Sequence, residues 1–184
     1  MKREEILDWM RTHREAVRGD PERILERVES DARHHAAEHA WLHAKRIAER
    51  EAESWRDASL GSHAAEDTVV LELCHDLARE MRHHEPHPDP DPAALLDAET
   101  LATLAPVARD QLRPWLGEVA GREEHRVWDE VVRFTHDRAT ALIREGAMSR
   151  TSGWEDTPSY TETAVRLSTL LAHDFEERAH RAMA

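Results

Sequence analysis

The chain has 184 residues, 40% of them hydrophobic and 34% charged, and a formal net charge of -13. A surface this acidic repels phosphate backbones, so nucleic acid is not an expected partner. One cysteine, Cys74, excludes an internal disulfide and a cysteine-based zinc site. No apolar run approaches the length that spans a bilayer. The segment after Met1 is charged and amphipathic, unlike the apolar core of a signal peptide. These features predict a cytoplasmic protein with no membrane partner.

Periodicity predicts an all-α, single-domain helical bundle of about six or seven helices over residues 1–184. The first helix runs from Arg3 to about Arg18. Gly19-Asp20-Pro21 breaks it, with Asp20 as N-cap and Pro21 at the first helical position of the next. That second helix is long, from Pro21 to about Trp55, and could equally line a homodimer interface. A third, from about Ala64 to His84, carries the core stripe Val70, Leu73, Cys74, Leu77 and Met81.

Alternate prolines in the segment 85–92 then forbid helix and favour an extended crossover. Shorter helices are expected near 93–104 and 105–119. A strong one follows over Glu123–Glu145, stopped by Gly146. A polar loop, 149–158, precedes the last helix, Ser159 to about Met183. No segment has strand period.

Histidine and carboxylate are the chemistry-bearing residues. His35, His39 and His43 form a ladder in steps of four. On a helical wheel, His39 and His43 fall inside the apolar stripe with Leu25, Val28, Ala32, Ala36 and Ile47. A buried imidazole without a partner costs about 1–3 kcal/mol, so these two are either hydrogen-bonded core residues or ligands of one metal. Three His-Asp doublets occur, His75-Asp76, His136-Asp137 and His173-Asp174. The same wheel turns His75, Asp76, His173 and Asp137 toward solvent. Glu-x-x-His occurs at Glu72/His75 and Glu177/His180, and with Glu38 and Glu130 would fit a ferritin-like di-iron site.

The segment His43-Ala44-Lys45-Arg46-Ile47-Ala48 resembles the first signature of HD-domain proteins. The run Val69 to Ala78 resembles the apolar stretch ending in the doublet that names that family, here His75-Asp76, with His75 thirty-two residues after His43. The segment Val131 to Arg138 is similar to the late helix that supplies its closing aspartate, here Asp137. The resemblance covers about residues 33–142. It implies an all-helical metal-dependent phosphohydrolase in which His43, His75, Asp76 and Asp137 bind one divalent metal (Mn, Co, Ni, Fe or Zn), with His39 competing as first ligand. It also implies Glu80 orienting the attacking water, Arg46 or Arg79 holding phosphate, and a small-molecule phosphate substrate such as a nucleotide. The alternative is a non-catalytic helical protein that binds a partner or small ligand.

Overall fold

The computed structural model describes residues 2–57, 66–83, 91–144 and 160–182. Among them, every regular element except one 3-10 turn is an α-helix, and the fold is an all-α helical bundle. The helices are α1 (Arg3–Thr12), α2 (Pro21–Asp57), α3 (Glu66–Arg82), α4 (Pro92–Leu95), α5 (Ala98–Thr103), α6 (Pro106–Arg144) and α7 (Tyr160–Ala182). Most of the proline-rich crossover, Gly146 and the loop 149–158 lie outside the described residues.

Three expectations differ from the structure, and the first is the helix expected near 93–104, which is two short helices, α4 and α5. The expected helix to Arg18 ends at Thr12, and Arg14–Ala16 forms the 3-10 turn. Backbone pairing competes there with helix continuation. Val17 is extended and bridges Leu104, with Arg18 N–H donating to the Thr103 carbonyl at 2.8 Å and Ala105 N–H to that of Ala16 at 2.9 Å. The two helices expected near 105–119 and 123–145 are one element, α6. Glycine costs a helix interior up to about 1 kcal/mol relative to alanine, and α6 contains Gly117 and Gly121. The buried stripe Ala108, Leu112, Leu116, Ala120, Val127 and Val131 continues through both glycines at helical spacing, so burial outweighs propensity. Pro114 is accommodated inside the same helix on its exposed side.

The chain divides into two compact units. The first comprises Met1–His39 and Glu85–Arg126. Its core joins Ile6 and Met10 of α1, Leu25 and Val28 of α2, and Leu112 and Leu116 of α6. Arg27 reaches Glu99 through a two-pronged contact of 3.1 and 2.6 Å. That pair holds the arginine more basic and the carboxyl more acidic than usual, but at an open surface such pairs contribute little to stability. Asp91 caps α4 by accepting from Ala93 N–H at 3.0 Å, with Pro92 at the first helical position.

The second unit comprises Ala40–His84 and Val127–Ala182. Here α3 packs against α7, and Ile47, Leu73, Leu77, Leu167, Leu171 and Phe175 are buried. Trp41, Phe134 and Phe175 form an aromatic cluster with centroids 5.6–6.3 Å apart. Arg178 lies over it, its guanidinium carbon 3.7 Å from the Phe134 ring centre, while donating to Glu130 at 3.1 Å. The ring quadrupoles and the carboxylate thus hold the same cation.

Gly19 joins the 3-10 segment to α2 at a φ of +134°, where a Cβ would meet Ile24 Cδ1 at 3.2 Å. Such backbone positions strain L side chains by about 1–3 kcal/mol. Gly19→Ala is therefore expected to lower stability by about that amount in chemical denaturation, and an unchanged midpoint would contradict this account.

Candidate functional site

The pattern on α3 decides which of its side chains can act. Val69, Val70, Leu73, Cys74, Leu77, Ala78 and Met81 are buried. At 100° per residue, the opposite side carries Leu71, Glu72, His75, Asp76, Arg79 and Glu80. Cys74 Sγ lies 3.7 Å from the Thr135 carbonyl of α6, and burial pushes its thiol up to about 11. A thiol so disfavoured as thiolate is inert.

The outward side of α3 opens onto a cleft of about 680 Å³. It is lined by Trp55 of α2, by Leu71, Glu72, His75 and Asp76 of α3, and by His136 of α6. All six residues belong to the second unit. Leu71 is 63% exposed, the most exposed large hydrophobic side chain among the described residues. Asp76 is half-buried and accepts an ion pair from Arg79 at 3.0 Å. Beside the cleft, Glu51 receives a hydrogen bond from the Trp55 indole N–H one turn along α2. Its carboxyl is pushed above the usual range by burial first, and then by the nearby charges of Glu80 and Asp76.

Of the residues expected to form a metal site, His75 and Asp76 share this cleft, joined by Glu72 of the Glu-x-x-His motif and by His136. The others lie elsewhere. His43 is half-buried and meets the Trp128 ring edge-on at 5.5 Å. His39 Nδ1 is 3.5 Å from Oε1 of the buried Glu124, with 57% of the His39 side chain exposed. Asp137 and Arg46 are exposed, and Glu80 pairs with Arg50 at 3.2 Å. In the di-iron set, Glu130 holds Arg178 and Glu177 holds Arg181 at 2.9 Å. Among the described residues, no three His, Cys, Asp or Glu side chains are grouped to hold a metal ion. As placed, His43, His75, Asp76 and Asp137 do not form a metal shell.

The position of His39 departs from the helical wheel for a geometric reason. Up to Ala36 the buried side of α2 follows Leu25, Val28 and Ala32; from Ala37 onward it follows Ala40, Trp41, Ala44 and Ala48. The buried side rotates around the helix as α2 passes from the first unit's residues to the second's. One wheel drawn over the whole helix averages two faces, and the histidine ladder falls at the change.

A second cleft, about 470 Å³, is lined in part by Lys45, Glu49, Arg56, His173 and Glu176. Lys45 closes ion pairs with Glu176 at 3.0 Å and Glu49 at 3.7 Å, and the first of these holds the lysine more basic and Glu176 more acidic than usual. Lys45, Glu49 and Glu176 in its lining are thus already paired with one another. The cleft at Leu71 instead combines exposed apolar surface with ionisable groups. Sequence reasoning missed Trp55, Leu71 and His136 as its walls. The available signal was Leu71, an apolar residue set off the stripe of its own helix.

Glu51 gives a pH test. Folding raises its pKa, so its contribution to stability is full below the unfolded carboxyl range and is lost as pH rises through the folded value. Glu51→Gln is therefore expected to melt higher than the parent chain at pH 7, with the difference vanishing below pH 4. A parent chain equally stable at pH 7 would contradict the burial and repulsion assigned to Glu51.

No protein-family model, curated protein or solved structure matches this chain.

Proposed function

We propose that this chain is a helical protein that binds a small ligand in the cleft at Leu71, without chemistry of its own. The observation that carries this reading is an open concavity of about 680 Å³ in which Trp55 and Leu71 supply apolar surface beside two imidazoles and two carboxylates. Its volume falls within the range of small-molecule sites, about 300–1,000 Å³, and such sites pair apolar walls with a few polar groups that fix orientation. The apolar wall provides affinity through burial, and His75, His136, Glu72 and Asp76 provide direction. Protein-observed NMR with an aromatic fragment library tests this. Hits are expected to shift resonances of Trp55, Leu71, His75 and His136, and Leu71→Ser should weaken them about tenfold. Hits that cluster elsewhere, or no hits, would refute it.

A second reading is the HD-type metal-dependent phosphohydrolase. It is favoured by one observation, that the doublet His75-Asp76 faces the same cleft as His136, the neighbour of Asp137. On this reading a divalent metal would supply Lewis acidity toward a phosphoryl oxygen. Elemental analysis of the purified chain, with a phosphate-ester and nucleotide panel in manganese, cobalt or nickel, decides it. Stoichiometric metal and turnover, both lost in His43→Ala and His75→Ala, are expected. Metal retained in both variants, or no turnover with any ion, would remove this reading. No described helix is long and apolar enough to cross a membrane.

A further inference from the structure

We infer that His35 is a pH-sensitive clasp between α2 and the start of α5, one that tightens when its imidazole takes up a second proton. Both ends of the clasp belong to the first unit. His35 Nδ1 lies 3.0 Å from the Asp31 carbonyl, one turn back on α2. A carbonyl only accepts hydrogen bonds, so Nδ1 carries the proton of the neutral ring. Nε2 is then a bare acceptor, and it stands 3.7 Å from Oδ1 of Asp97. An ionised carboxylate is also only an acceptor. Lone pairs therefore face each other across this contact while the ring is neutral. A proton on Nε2 turns the same contact into a charge-assisted ion pair. Histidine is the side chain whose charge changes near neutral pH.

The surroundings favour that proton. Asp31 is buried, and its Oδ2 accepts the backbone N–H of Asp97 at 3.3 Å, which brings the two aspartates together. Asp97 is the N-cap of α5, but its side chain makes no cap bond and meets His35 instead. Arg27 pairs with Glu99 and also feels the charges of Asp31 and Asp97. One arginine thus serves three carboxylates, and protonated His35 adds a second cation. Among the described residues, Asp97 is the one charged side chain within ion-pair reach of the His35 ring. The other titratable neighbour is His34 on the same helix, edge-on at 5.8 Å. Because proton uptake and closure favour each other, the clasp's contribution is present on the acid side of the His35 titration and is lost as pH rises through it, provided Asp97 stays ionised.

Two measurements on the full chain test this. Long-range nitrogen–proton NMR spectra at pH 8 are expected to show the His35 ring as the Nδ1–H tautomer, with His35→Gln identifying its signals. Hydrogen exchange, corrected for intrinsic rates and read against core amides of α6, reports the clasp itself. The Leu101 amide donates to the Asp97 carbonyl at 2.8 Å. It is expected to be about threefold better protected at pH 5.5 than at pH 8, the size a partly exposed pair supplies. His35→Gln and Asp97→Asn are each expected to remove that difference, and asparagine preserves a good N-cap, so α5 is retained. An Nε2–H ring at pH 8 would overturn the assignment. So would equal protection at the two pH values in the parent chain, or a difference that survives in either variant.

Discussion

Burial of one side of α3 is the constraint on which the site depends. Seven residues between Val69 and Met81 are withdrawn from water, and full burial of a leucine-sized side chain is worth about 1.5–3 kcal/mol. Turning His75 and Asp76 inward would rotate several of those residues out, at a cost exceeding what a few hydrogen bonds could return. The His-Asp doublet therefore lies at a surface and lines the cleft. Cys74, one residue before it, is sealed on the other side with its thiol protonated.

A different constraint governs α2. A helix of 37 residues meets different neighbours along its length, and its buried side changes direction between Ala36 and Ala40. His39 lies in that transition and remains largely exposed, next to the buried carboxylate of Glu124. His43 sits one turn on, against Trp128. His39 meets a carboxylate and His43 an indole ring, each within its own unit.

The second unit separates two uses of aromatic and charged residues. Trp41, Phe134, Phe175 and Arg178 use them for cohesion: the cation is covered by rings and anchored to Glu130. Trp55 and the carboxylates Glu72 and Asp76 of α3 line the cleft. The first group stabilises the fold, and the second forms the walls of the proposed ligand site.

Several features were legible in the residues themselves. Helical period and the absence of strand period established the all-α class. Gly19-Asp20-Pro21 marked the start of α2 because it combines the backbone freedom and the helix-starting proline required there. The outward direction of His75 and Asp137 followed from rotation per residue, a local property of any helix. Tertiary structure decided the rest. It joined two expected helices into α6, because the buried stripe extends past Gly117 and Gly121. It rotated the buried side of α2 and so relocated the histidine ladder. It placed Trp55, Leu71 and His136, which lie on three different helices, around one cleft. Periodicity reports which side of a helix is apolar, but not which other helix faces the remaining side; that depends on contacts between segments distant in the chain.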